Sequence, residues 1–392
     1  MRGRAGFEAV LTVAKAVSAL AVLVGLGAGL GAEGCKPKSD GIVVGAYLSL
    51  SGVDSTFGTD TRDGIDLALE QANAAGGAHG KPFRVVYEDD KSSPEEVTTK
   101  VHQLIDRDGA VALLGEVASS RSMIGGLVAN TAKVPMITPS STAVEVTRDR
   151  AYVFRTCFTN AQQGEAAARY ARLDRKASSA GILYVAQDNY SSGLAQTFRD
   201  AFVRLGGTVS LEKGYQKGET NFTTYLSELK AQSPDVLFVP VYYNDMVQIA
   251  RQAAPLGISG AAFLGGDAWD SADLIEGAGP ELEGAHFMDH YAPDVPWPNS
   301  KAFVAAFQAK YGHAPGSIAA QGYDAARLLF DAVGRATAVK RDAIRAALAA
   351  THDFAGATGT MTIDAAHDAI KPIVVVAVRG KKFVYESQIQ AK

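Results

Sequence analysis

Between Val111 and Thr142 the chain twice runs from a short apolar stretch into a hydroxyl-bearing loop and then into a helical pattern. Val111 to Leu114 breaks at Gly115 into a small-residue loop, and helical spacing takes over from about Ser120 to Ala132. Val134 to Ile137 breaks at Pro139 into Ser140, Ser141 and Thr142, where another helix start follows. A repeated strand–loop–helix is the unit of a parallel sheet. In such sheets ligands sit outside the carboxyl ends of the strands. Both hydroxyl loops fall there, each beside a helix N-terminus whose free N–H groups and dipole favour an anion. Ser119, Ser140 and Thr142 therefore form a candidate cradle for a small carboxylate. Taken one at a time, the same residues also suit helix caps and turns.

The alternation extends in both directions. Ile42 to Leu50 reads as a strand, Gly58 to Asn73 as a helix stopped by Gly76-Gly77, and Phe83 to Glu88 as the next strand. Pro94 starts a helix running to about Ile105, and Tyr152 to Arg155 is followed by a first crossing between lobes. A second series then begins, with strands at Ile182 to Ala186, Thr208 to Leu211, Val236 to Val241 and Ala262 to Leu264. Its helices start near Ser191, Asn221 and Asp245. Pro-rich Tyr291 to Pro298 reads as a second crossing. Helices over Ser300 to Tyr311 and Ser317 to Ala336 follow, then strands at Ile373 to Val378 and Phe383 to Tyr385. Two βα halves of roughly 120 residues each fit two doubly wound α/β lobes.

A length of 392 residues suits two such domains, each with its own core. With 38 basic against 42 acidic residues and no Lys/Arg stripe, nothing marks a nucleic-acid surface. The 2 cysteines cannot build a disulfide framework. Arg2 and Arg4 precede a charge-free run from Ala16 to Ala32, read as an export signal covering residues 1–34. Cys35, between that run and Lys-Pro-Lys-Ser, resembles the modified cysteine of bacterial lipoproteins. Glu33 departs from that pattern, which leaves plain secretory cleavage as the alternative and a retained anchor as a third.

No enzyme signature survives inspection. Gly80-Lys81 follows a glycine-rich turn, but Pro82 stands where Ser or Thr would hold magnesium. His286 and His290 have helical metal spacing in a segment read as strand, where the fourth residue on lies about 13 Å away. No metal or cofactor is expected. Glu88-Asp89-Asp90 reads as a solvated edge or a helix cap, and Cys157 as a buried inert thiol. In the second half, candidates cluster at strand ends: Tyr190, Tyr242, and Asp267 with Trp269 beyond it. A carboxylate at Asp267 could pair with an ammonium, unless it caps the short helix that follows. The aromatics suit a small amphipathic ligand, or plain packing.

Several runs then carry a resemblance: Leu50-Ser51-Gly52, Gly64-Ile65 with Leu67-Ala68, and Asn73 with Gly76-Gly77 and Gly80. Ile137-Thr138-Pro139 with Thr142, Tyr190-Ser191-Ser192-Gly193, and Phe354, Gly356 and Gly359 with Ile363-Asp364 complete the set. From about Ile42 to Tyr385 the chain resembles the periplasmic branched-chain amino-acid-binding proteins of ABC importers. The resemblance implies a type I periplasmic binding fold, two lobes joined by a three-segment hinge that closes on ligand. It implies a first lobe of residues 42–160 and 291–364 and a second of 161–290 and 365–392. It also implies that Ser119, Ser140 and Thr142 hold the ligand's α-carboxylate, that Asp267 takes the ammonium, and that Tyr190 lies at the cleft. Tyr242 and Phe57 would border the side-chain pocket. Arg121 and Trp269 fall outside the usual aliphatic pocket and leave the side-chain preference open. The expected protein is a monomeric, extracytoplasmic solute-binding protein, anchored through Cys35, that hands a small amino acid to an inner-membrane permease. A sensor, a binder of another carboxylate such as an aromatic acid, and an enzyme on a doubly wound sheet are the other readings.

Overall fold

The computed structural model describes residues 41–390, so the export signal and Cys35 lie outside the described residues. The first half contains β1 (Ile42–Leu48), α1 (Ser55–Ala74), β2 (Phe83–Asp89), α2 (Pro94–His102), β3 (Ala112–Leu114), α3 (Ser119–Thr131), β4 (Met136–Thr138) and β5 (Val153–Arg155). Their strands form a five-stranded parallel sheet in the order β2-β1-β3-β4-β5. The centre of that sheet reads as a continuous apolar run because both faces are covered: Val44, Ala46 and Leu48 of β1 are fully buried.

The second half contains α4 (Asn160–Arg169), β6 (Ser179–Val185), α5 (Asn189–Arg204), β7 (Thr208–Tyr215), α6 (Thr223–Ala231), β8 (Val236–Phe238), α7 (Tyr243–Ala253), β9 (Phe263–Gly265), α8 (Ala272–Ala278) and β10 (His286–Asp289). After these come α9 (Pro298–Tyr311), α10 (Ser317–Arg335), α11 (Arg341–Ala349), β11 (Phe354–Gly356), β12 (Gly359–Ile363), β13 (Ala369–Ile370), β14 (Pro372–Arg379) and β15 (Lys382–Gln390). The second sheet runs β15-β14-β10-β9-β8-β6-β7. It is parallel from β10 to β7, while β14 and β15 are antiparallel. The β14–β15 hairpin turns on Gly380 and Lys381, both at positive φ, as a two-residue primed turn requires. The chain thus passes between the sheets after β5, after β10 and before β14.

Two features escape the sequence patterning. α11 and the small antiparallel sheet β11-β12-β13 are short, and their strands of two to five residues give no period to read. β15 runs to Gln390, well past the expected end at Tyr385. Between Thr159 and Gln162 the first crossing ends in a capping box: Thr159 Oγ1 accepts from the Gln162 N–H, and Gln162 Oε1 accepts from the Thr159 N–H. This fixes where α4 begins, and with it the directions of Asn160 and Gln163.

The first sheet is flanked by α1, which lies directly against α10. Gly64 permits that approach, since a methyl there would overlap the Ala319 carbonyl oxygen, and Gly322 faces Thr61 from the other side. Gly64→Ala should therefore force two backbones apart and destabilise by about 1–3 kcal/mol, a loss of several degrees in melting temperature. Gly334→Ala, in the same α10 but with open space around it, should be neutral or stabilising by up to about 1 kcal/mol. Calorimetric melting of the two variants checks the contrast.

Candidate functional site

The loops after β3 and β4 are joined by their own hydroxyls. Ser141 Oγ lies 2.7 Å from Ser122 Oγ and 2.8 Å from the Val117 carbonyl, while Thr138 Oγ1 donates to the Glu116 carbonyl at 2.7 Å. This brings Ser119, Ser140 and Thr142 together, all almost fully buried. Ser119 Oγ accepts from the Ala143 N–H at 3.2 Å, which leaves its own proton for another acceptor. Ser140 Oγ has no partner among the described residues. Thr142 Oγ1 donates to Asn160 Oδ1 at 2.7 Å, and Asn160 Nδ2 donates to the Tyr190 carbonyl at 3.0 Å. None of the three caps a helix through its side chain: α3 has Ala118 at its N-cap, and the turn after Thr142 has Ala143.

Across the crossings from this cradle stands Asp267, 4% exposed. Gln163 Nε2 donates to its Oδ1 at 2.7 Å, and His290 Nε2 lies 3.2 Å from its Oδ2. Burial drives the His290 pKa down to about 4, so the imidazole is neutral at pH 7 and presents its Nε2–H to Asp267. Its ring stacks on Phe158 of the first crossing at 3.5 Å, and its Nδ1 has no partner. Among the described residues, this neutral histidine is the only basic group within ion-pair distance of Asp267. The helix after Asp267 is capped instead by Ser271, whose hydroxyl accepts from the Asp273 N–H. The Tyr190 hydroxyl accepts from the Ala268 N–H at 3.3 Å, beside Asp267, and burial, then that carboxylate, holds it as a phenol.

Tyr190 stacks on Tyr242 with centroids 5.5 Å apart, and Tyr242 meets Phe57 of α1 edge-on at 6.1 Å. The two lobes touch here: Tyr243 donates to the Val53 carbonyl at 3.2 Å, and Thr56 to Asp273 at 2.6 Å. Trp269 is a correction to the sequence reading. Its fully buried indole lies over Gly265 and against Phe287, and its N–H is used by the Val239 carbonyl at 3.1 Å, so it belongs to the core of the second lobe.

Asp90 is a second correction: Glu88 and Asp89 lie partly exposed on the edge strand β2, as read, but Asp90 is neither solvated nor a cap. Asp89 accepts from the Leu50, Ser51 and Lys91 N–H groups. Asp90 is fully buried, with Ser49 Oγ 2.7 Å from it and 2.9 Å from Glu116. One hydroxyl proton cannot serve both carboxylates, so one carboxyl is itself a donor. Burial, followed by Glu116, pushes Asp90 up to about 7, so below that pH Asp90 is the carboxyl that carries the proton. Arg121 closes the group at 2.8 Å from Asp54 and 3.1 Å from Glu116. Cys157 is buried as read, its thiol pushed up to about 12 by burial. His286 pairs with Glu386 and not with His290.

Gln163 and Asn160 were not singled out by sequence reasoning, and His290 was weighed only as a metal ligand. Thr159-x-x-Gln162 is the local signal that could have given the helix start that directs Asn160 and Gln163. Nothing local announces that His290, far along the chain, reaches Asp267.

A two-lobed α/β protein with polar groups meeting at its interlobe crossings is a ligand-binding protein of the hinged type. A family model described as a periplasmic binding protein matches residues 41–382, and the chain belongs to that family, in its branched-chain amino-acid-binding branch. The leucine-, isoleucine-, valine-, threonine- and alanine-binding protein of Pseudomonas aeruginosa is 27% identical over 329 residues, covering 83% of this chain and 86% of that protein. The crystal structure of a leucine-binding protein from Thermotoga maritima matches with a TM-score of 0.85 and 34% identity, over 89% of this chain and 99% of that one. A solute-binding protein of an R. palustris ABC transporter, in complex with benzoate, matches with a TM-score of 0.79 and 27% identity, over 90% and 97%. The protein is thus an extracytoplasmic solute-binding protein of the ABC-transporter class, taking amino acids or related small ligands, and not an enzyme. No helix among the described residues is long and apolar enough to cross a membrane.

The shared proton at Asp90 has a signed consequence. Its carboxyl titrates near about 7 in the folded chain against an ordinary 3.8, so over that window the native state keeps a proton that the unfolded state releases. Stability from this group is therefore present at low pH and falls as pH rises through the window. Asp90→Asn keeps a donor facing Ser49 without titrating. Its melting temperature relative to the parent at the same pH should rise between about pH 5 and about pH 8. A constant offset would mean that Asp90 does not carry the proton.

Proposed function

We propose that this protein captures a small α-amino acid, branched-chain or related in the manner of its relatives, and delivers it to an ABC permease in the inner membrane. Ser119, Ser140 and Thr142 hold the α-carboxylate and Asp267 holds the ammonium, with Tyr190, Tyr242 and Phe57 bordering the side chain. The two lobes, residues 42–160 with 291–364 and residues 161–290 with 365–392, close on the ligand by rotation about the three crossings, and the protein works as a monomer. The observation that carries this reading is the Asp267 carboxylate, buried and, among the described residues, met only by neutral donors. Desolvating a carboxylate without a cation costs several kcal/mol, and an ammonium offsets that cost. The benzoate-bound relative supports a second reading, an aromatic acid without an amine.

A thermal-shift screen of amino acids and aromatic acids finds the ligand, because a compound bound only by the folded state raises the melting temperature. Calorimetry on variants then separates the readings. Asp267→Ala should abolish most of the affinity for α-amino acids and leave their deaminated analogues unaffected; equal loss for both overturns the ammonium assignment. Ser119→Ala should weaken binding by about ten- to a hundredfold through a lost charge-assisted hydrogen bond, and Thr142→Ala by less, because its hydroxyl gives up the bond to Asn160 Oδ1 to reach the ligand. Their effects should be less than additive, since they share one carboxylate.

The role of Cys35 is proposed on the sequence pattern alone. A diacylglycerol and an N-acyl chain on this residue hold the mature protein at the membrane, where one chain would bind only marginally. Wild-type protein should partition with membranes until detergent is added, and Cys35→Ala should release it. Soluble wild-type protein cleaved at another residue would overturn the anchor.

A further inference from the structure

The cleft continues beyond the head-group site. In the second sheet, Asp267 follows β9, Tyr242 follows β8, Asp188 and Tyr190 follow β6, and Lys217 follows β7. In the first, Thr142 follows β4, Ser119 follows β3 and Asp54 follows β1. The cradle and Asp267 therefore stand at the inner end, next to the crossings, and a ligand side chain extends outward past Tyr242. A cavity of about 200 Å³ lies there, with Asp54, Asp188, Asp245, Tyr190, Tyr242 and Lys217 in its wall. This is below the roughly 300–1,000 Å³ of a pocket for a whole drug-sized molecule, and suits a side chain.

Its charge is unbalanced. Asp188 is only 9% exposed; its Oδ1 accepts from the Ser191 N–H at 2.8 Å, and its Oδ2 has no partner among the described residues. Asp245 Oδ2 accepts from the Tyr215 hydroxyl at 2.7 Å, and no cation pairs with it among the described residues. Asp54 is matched by Arg121 at 2.8 Å. The basic group of the wall, Lys217, is exposed and makes no ion pair among the described residues. The Tyr242 hydroxyl is buried without a partner among the described residues. The stacked Tyr190 and Tyr242 rings offer an aromatic wall to an alkyl stem and attract a cation at its end. Burial raises both Asp188 and Asp245 above the ordinary carboxylate range, and the more distant charge of Lys217 offsets this only in part.

We propose that this cavity is the side-chain subsite and takes a cationic terminus, so that the ligand is a basic α-amino acid such as lysine, ornithine or arginine. The proposal rests on the head-group reading above and changes only the side-chain class. The test is calorimetric titration of the full chain with L-lysine, L-arginine, L-leucine and L-norleucine, the last matching lysine's stem without its ammonium. L-Lysine should bind about ten- to a hundredfold tighter than L-norleucine, the worth of one or two charge-assisted bonds. Asp188→Asn, which preserves the N-cap of α5, should remove most of that preference and leave norleucine binding where it was. Asp245→Asn should reduce it in the same direction. Leucine or norleucine binding as tightly as lysine overturns the cationic subsite and leaves the head-group reading standing. A lysine preference unchanged in both variants overturns the assignment to these carboxylates. Failure of every α-amino acid to bind the parent overturns both readings at once.

Discussion

The arrangement of the cleft depends on one buried carboxylate. Asp267 is reached from two crossings: Gln163 lies just inside the helix that begins after the first, and His290 on the second. Because burial keeps the imidazole neutral, both bonds orient the carboxylate without satisfying its charge. A stronger partner, a lysine or arginine in place of His290, would quench the charge and remove the reason for a cation to enter. The Phe158–His290 stack ties the same two crossings together, so the group that orients Asp267 is part of the segment about which the lobes would turn.

The first lobe meets the opposite demand by a different route. Its hydroxyl loops are rigid because Ser122, Thr138 and Ser141 are spent on the Glu116 and Val117 carbonyls, which leaves Ser119 and Ser140 with capacity to spare. Beneath them, Arg121 accommodates Asp54 and Glu116, while Asp90, 4.0 Å from its Nε, is pushed up to about 7 by burial. An arginine suits this task better than a lysine would, since its planar fork reaches two carboxylates at once. Further out in the cleft, Asp188 and Asp245 make no ion pair with an arginine among the described residues.

Much of the fold could be read from local pattern. Short apolar runs ending in glycine or proline, each followed by helical spacing, give the two parallel sheets, and Thr159-x-x-Gln162 sets the start of α4. What failed was short or non-local. β11 to β13 are too brief to show a period. Trp269 sits next to a cleft residue in sequence, but the tight turn that follows Gly266 sends its indole into the core, where Gly265 leaves room for it. Asp90 looks solvated from its neighbours alone and is buried against Ser49, about forty residues earlier.

The sequence by itself determined which residue types stand at the carboxyl ends of the strands, because strand and helix periods are local and the loops between them carry the chemistry. That was enough to gather Ser119, Ser140, Thr142, Tyr190, Tyr242 and Asp267 as candidates. Only the tertiary structure decided which of those groups have hydrogen-bonding capacity left. That depends on partners distant along the chain: Ala143 for Ser119, Asn160 for Thr142, Gln163 and His290 for Asp267. Whether a carboxylate is buried, paired or protonated follows from what desolvates it and what stands across from it, and neither is a property of its neighbours in sequence.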